Sequence, residues 1–182
     1  MGETAMIKTE RLLLRPAEAG DCRDIFEYAK HPEVGPRAGW KPHESEEETA
    51  RVMRDVFLGK EHVFVIVHGE TGRVIGSIGL ADDPARDFPV CKMLGYALSR
   101  AYWGVGLMTE AVRAMLHYGF REAHLSLISA YCYPQNAASR RVLEKCGFLY
   151  EGTLRMAGKS YTGELRDGCC FSMKAEEYLG GR

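Results

Sequence analysis

Between Leu94 and Cys132 the chain runs strand, glycine turn, helix, strand, and few folds accept that order. Leu94-Gly95-Tyr96-Ala97-Leu98-Ser99 reads as the first strand, and Trp103-Gly104-Val105-Gly106-Leu107-Met108-Thr109 as the turn. The helix that follows carries Leu107, Ala111, Ala114, Met115 and Tyr118 on one face, and Leu125 to Cys132 reads as the second strand. Two strands joined through a helix lie parallel, and such crossovers are almost always right-handed. A glycine turn opening a helix presents backbone N–H groups at the positive end of the helix dipole, where phosphate is stabilised. Alone, the turn also suits a dinucleotide. Thr109, however, stands where a G-x-G-x-x-G fingerprint has its third glycine, and the upstream elements have the wrong order for a doubly wound sheet.

Those upstream elements are a strand over Arg11 to Arg15, stopped by Pro16, and a helix in which Asp21 is the expected cap for Cys22, Ile25, Phe26 and Ala29. Glu33 to Pro42 reads as an ordered loop. Ser45 and Glu48 form an expected capping box for a second helix. His62 to His68 and Arg73 to Leu80 make a hairpin across Gly69 to Gly72. Downstream of the central unit, Asn136 is placed to cap a helix burying Ala138, Val142, Leu143 and Cys146 and ending at Gly147. Strands near Leu149 to Arg155 and Arg166 to Met173 follow. The expectation is a single α/β (α+β) domain over residues 1–182, with a mixed, mainly antiparallel sheet around one parallel pair.

A formal net charge of −1 gives no basic footprint for nucleic acid, and no apolar run reaches the ~20 residues that cross a bilayer. Neither nucleic acid nor a membrane is therefore an expected partner. Six cysteines form no CxxC pair and no ligand spacing with the scattered histidines, so the expectation is a reducing cytoplasm and no metal.

Gly95-Tyr96-Ala97-Leu98 and Tyr102-Trp103-Gly104-Val105-Gly106-Leu107-Met108-Thr109-Glu110-Ala111 resemble the acetyl-CoA motif of the GNAT superfamily. Pro134-Gln135-Asn136-Ala137-Ala138-Ser139-Arg140-Arg141-Val142-Leu143-Glu144-Lys145-Cys146-Gly147-Phe148 is similar to the second family motif in its RimJ/RimL form, that of ribosomal-protein alanine N-acetyltransferases. Thr9 to Pro16 resembles that subfamily's opening strand. The resemblance implies acetyl-CoA as cosubstrate, wedged between two splayed strands. Ala97 and Leu98 would bind pantetheine and thioester, with Trp103, Gly104, Val105, Gly106, Met108 and Thr109 at the pyrophosphate and Asn136 and Ser139 on the second wall. It implies transfer to a primary amine, either a protein N-terminus or a small molecule, by direct attack in a ternary complex. A homodimer is compatible with it. A non-catalytic acyl-CoA-binding or sensing module is the alternative.

The reaction needs a proton for the departing thiolate. Many superfamily members use a tyrosine at the position of Leu143; the RimJ/RimL pattern instead offers a serine three residues after the asparagine, so the resemblance implies Ser139 as candidate general acid, with Asn136 holding pantetheine or a water. Relatives often carry a glutamate base just before the Gly-Tyr; this chain has Lys92-Met93-Leu94. An amine of pKa ~8 is roughly 10% neutral at pH 7, whereas a lysine needs about 4.6 kcal/mol to deprotonate, so the missing base favours an α-amine. Glu110 is expected to pair with Arg113 or face solvent. The resemblance places the first loop and the last hairpin over the acceptor side, which makes Trp40, Tyr161 and Asp167 candidates to line an acceptor pocket.

Overall fold

A computed structural model describes residues 5–181. The chain forms eight strands, β-branched most clearly in β3 and β4: β1 (Ile7–Lys8), β2 (Leu12–Arg15), β3 (Val63–His68), β4 (Val74–Asp82), β5 (Cys91–Leu98), β6 (Leu127–Cys132), β7 (Leu149–Lys159) and β8 (Leu165–Lys174). They form one sheet in the order β1-β2-β3-β4-β5-β6-β8-β7. β5 and β6 are parallel, and every other neighbouring pair is antiparallel. This is the mixed sheet expected from the crossover between Leu94 and Cys132.

Side chains alternate across a strand, so the sheet presents two different faces. On one, Leu94, Leu98, Ala130 and Cys132 pack beneath Ala111, Val112 and Met115 of α4 (Leu107–His117) and Leu143 of α5 (Ala137–Lys145). On the other, Val65, Val67, Val74 and Ala97 meet Ile25, Tyr28 and Ala29 of α1 (Cys22–Ala29). Burying a residue such as Leu143, which has no exposure, is worth roughly 1.5–3 kcal/mol. Two short helices, α2 (Gly35–Ala38) and α3 (Glu46–Val52), complete the second layer, and α6 (Ala175–Leu179) closes the chain. Among the described residues no helix is long and apolar enough to cross a membrane.

Three local expectations change. Asp21 does not cap α1; its carboxylate takes both arms of the Arg15 guanidinium at 2.8 and 2.7 Å and the Glu18 amide at 2.8 Å. A bidentate charged fork outcompetes a single cap hydrogen bond. The stretch after Glu33 is not wholly loop, because Pro36 at the first helical turn and Gly39 at φ 95° bracket the single turn of α2. Ser45 Oγ accepts from the Glu48 amide at 3.1 Å as expected, but Glu48 reaches back to the amide of Glu44 instead of Ser45.

Candidate active site

β5 and β6 pair only from Cys91 to Leu94 and from Leu127 to Ala130. β5 then continues to Leu98 along β4, and β6 continues to Cys132 along β8. The two strands therefore splay, and a cavity of about 820 Å³ passes through the opening. Its walls include Ala97, Leu98, Trp103, Gly104, Gly106, Met108 and Thr109 on one side and Asn136 and Ser139 on the other.

The turn before α4 is shaped for close approach. Gly104 and Gly106 sit at φ 82° and 85°, a region that only glycine enters without strain. Gly106 is the N-cap of α4 and supplies no side chain, leaving the first-turn amides to an outside acceptor. Trp103 fixes the approach to this turn: its indole Nε1 donates to the Leu98 carbonyl at 2.7 Å, and Arg37 and Arg100 stack on its ring at 5.1 and 4.9 Å. Arg37, Arg141 and Lys145 add positive charge to the cavity wall. Val105 is 58% exposed and is not on that wall; its carbonyl accepts from Arg11 at 2.9 Å. Arg11 in turn pairs with Glu110 at 2.7 Å, and Thr9 donates to the same carboxylate at 2.6 Å. The expected Glu110–Arg113 pair is thus replaced, because β2 brings a guanidinium to the turn, and Arg113 donates to the Lys145 carbonyl instead. Burial pushes the Glu110 carboxyl upward, but hydrogen bonds from Thr9 and Arg11 outweigh it and hold it below the ordinary glutamate value.

On the opposite wall, Asn136 Oδ1 accepts from the Ser139 amide at 3.2 Å, and its Nδ2 donates to the Arg37 carbonyl at 3.3 Å. Asn136 thereby caps α5 and ties it to α2. Ser139 Oγ lies 2.8 Å from the hydroxyl of Tyr96, which reaches across from β5. Burial raises the Tyr96 pKa, with the Ser139 contact opposing it, so the phenol stays protonated. Leu143, at the place of the superfamily's tyrosine, is buried in the core.

The face of β6 and β8 away from α4 carries a second polar assembly. Asp83, whose side chain has no exposure, accepts from Ser129 at 2.5 Å, Tyr131 at 3.0 Å, the Ala85 amide at 2.8 Å and Arg86 at 2.8 Å. Arg86 also pairs with Glu151 at 2.5 Å, and Glu151 accepts from Ser172 at 2.6 Å. Burial pushes the Asp83 carboxyl up, and the four donors more than offset it, holding it below the usual carboxylate range. Tyr131 lines the cavity.

Trp40 does not line the cavity. It packs on Gly35, where an added Cβ would come within 2.6 Å of the indole, and against His43 at 5.3 Å. Tyr161 is 49% exposed, lies in the turn between β7 and β8 and is likewise off the wall. Asp167 is on the wall and accepts from the Met156 amide at 2.9 Å, bridging the irregular part of the hairpin. Among the described residues no group of three or more His, Cys, Asp or Glu is placed to hold a metal ion.

Sequence reasoning gives Tyr96 a place in the motif but no role, and gives none to Asp83 or Tyr131. The signals were present: Tyr96 shares the parity of Leu94 and Leu98 and so faces α5, and Ser129 with Tyr131 makes a polar alternation inside an apolar strand.

The Acetyltransferase (GNAT) domain family matches residues 11–149. An uncharacterised N-acetyltransferase of Bacillus licheniformis, p20, is 33% identical over 179 residues, covering 94% of this chain and 97% of the relative. The [ribosomal protein uS5]-alanine N-acetyltransferase of Escherichia coli is 28% identical over 127 residues, covering 68% of this chain and 63% of the relative. A GNAT-family acetyltransferase structure from Bacillus anthracis superposes with a TM-score of 0.84 at 28% identity, covering 95% of this chain and 100% of that one. The chain belongs to the GNAT acetyltransferase family and is an acyl-CoA-dependent N-acetyltransferase.

Proposed function

We propose that the protein binds acetyl-CoA with its pyrophosphate on the amides of the Gly104–Gly106 turn and its thioester beside Ser139, and acetylates a primary amine by direct attack in a ternary complex. The observation that carries this reading is one continuous cavity with a bare helix N-terminus at the turn and a paired serine and tyrosine in its wall. The amine nitrogen adds to the thioester carbon, the C–S bond breaks, the thiolate takes the Ser139 proton, and the proton released by the acylated nitrogen passes to water, from which the serine hydroxyl is restored. When Tyr96 donates to Ser139 Oγ, the serine proton is left free for sulfur, so Tyr96 positions the acid. The cosubstrate's chemistry is the activated acetyl group; the chain supplies phosphate binding, orientation and that proton. The alanine N-acetyltransferase relative and the motif around Asn136 to Phe148 support a RimJ/RimL-like enzyme acting on an N-terminal α-amine, and six free cysteines suit a reducing cytoplasm.

The test is a thiol-release screen with acetyl-CoA against an alanine-initiated peptide, spermidine, butylamine and an aminoglycoside. Saturable, amine-dependent release with at least one of them is expected, greatest with the peptide. Tight acetyl-CoA binding with release at background for every amine would instead mark a non-catalytic acyl-CoA-binding module.

A further inference from the structure

The missing glutamate before Gly95 leaves the amine side of the reaction without an evident partner. Strand parity shows what stands there. Ala130 and Cys132 point toward α4, so Ser129 and Tyr131 point to the other face, as their shared hydrogen bonds to Asp83 require. Tyr96 and Ser139 lie on the α4 and α5 face. The cavity passes between β5 and β6 and touches both groups, so its two sides carry different chemistry.

We infer that Tyr131 is the residue against which the acceptor nitrogen binds, and that Asp83, Arg86 and Glu151 position it and supply counter-charge. The phenol proton of Tyr131 is committed to Asp83, at 3.0 and 3.2 Å to the two carboxylate oxygens. Arg86 takes one acceptor site of the phenol oxygen at 3.1 Å. The oxygen therefore meets the cavity only as an acceptor, which suits an N–H donor and rejects a carboxylate or carbonyl. Two carboxylates around one guanidinium leave the assembly one negative charge, in a site where Asp83 has no solvent exposure to screen it. Positive charge grows on nitrogen as it adds to the thioester carbon, and a fixed negative group nearby stabilises that growth. Across the cavity, Arg166 is paired with Glu164 at 2.9 Å, and Asp167 is engaged by the Met156 amide. The amine would enter on one sheet face and the sulfur would be protonated on the other, so the two events use separate residues.

This assignment rests on the proposed acetyl transfer, and the experiment separates the two. Steady-state kinetics would be measured for wild type, Tyr131→Phe and Glu151→Gln with whichever of the peptide, spermidine and butylamine the wild type acetylates fastest, beside acetyl-CoA Kd by calorimetry and Tm. Tyr131→Phe should lower kcat/KM for the amine by about tenfold, as losing a hydrogen bond to a charged donor does, with acetyl-CoA Kd unchanged within twofold. Glu151→Gln should lower it by about threefold, and less for an acceptor carrying a carboxylate near its amine. An active wild type with Tyr131→Phe unchanged for the amine overturns the assignment while leaving acetyl transfer standing. A parallel loss of acetyl-CoA affinity and Tm in both variants would make the assembly purely structural and also overturn it. A wild type that acetylates none of these three amines and not the aminoglycoside either overturns both readings together.

Discussion

Two helices begin at the same cavity and begin differently. α5 starts at Asn136, whose side chain satisfies the Ser139 amide, and α4 starts at Gly106, which offers no side chain at all. Replacing a good N-cap by glycine costs only a few tenths of a kcal/mol, so α4 gives up little intrinsic stability by leaving its first amides open. Those amides open on a cavity whose wall also carries Arg37 and Lys145, so an anion there gains from both the dipole and the positive wall. The start of α5 has one of its first amides taken by Asn136, and its contribution is the hydroxyl of Ser139 held by Tyr96. On the proposed reading the difference separates binding from chemistry: α4 would hold the phosphates, and α5 would present the proton.

Four substitutions test this division. Ser139→Ala should cut kcat by about 10²-fold or more while acetyl-CoA Kd stays within threefold; equal turnover would remove the acid from α5. Gly106→Ala places a Cβ at φ 85° and should weaken acetyl-CoA binding by about tenfold, with a smaller change in kcat at saturation. If calorimetry shows unchanged affinity for that variant, the bare helix start is not where the pyrophosphate sits. Asn136→Ala should lower stability by about 1 kcal/mol, a few degrees of Tm for a chain of this size, whereas Asn136→Gly should cost only a few tenths. Equal Tm loss in the two would mean that the bond to the Arg37 carbonyl, not the cap, is what matters.

A small effect, under about 1 kcal/mol, is also expected at Glu110→Gln, because Arg11 is 43% exposed and water screens the pair. Its pH dependence is distinctive. The folded-state Glu110 pKa lies below its unfolded value, so its contribution is complete above the ordinary glutamate pKa of about 4.3 and is lost as pH falls below that through the folded value. The Tm gap between wild type and Glu110→Gln should therefore be constant near neutrality and close in acid. A gap unchanged in acid would assign the effect to packing.

Much of the fold was legible because its signals are local. Gly104 and Gly106 announce a turn with positive φ, Asn136 announces a cap, and the alternation in Leu94 to Ser99 announces a strand, each through interactions within a few residues. The same locality explains the errors. Asp21 has the composition of a cap, but Arg15 from the preceding strand reached it first. Trp40 stands in the loop that the resemblance places over the acceptor side, and it packs on Gly35 of α2, off the cavity wall.

Residue order thus determined the elements, the parallel pair and the glycine turn before α4, since backbone hydrogen bonding and side-chain period act over short stretches of chain. Tertiary structure decided the chemistry of the cavity. Tyr96 meets Ser139 across 43 positions, Asp83 meets Tyr131 across 48, and Arg11 meets Glu110 across 99. No local preference encodes such meetings. They follow from which strands neighbour one another in the sheet and from where β5 and β6 part, which the packing of all eight strands and their helices settles together.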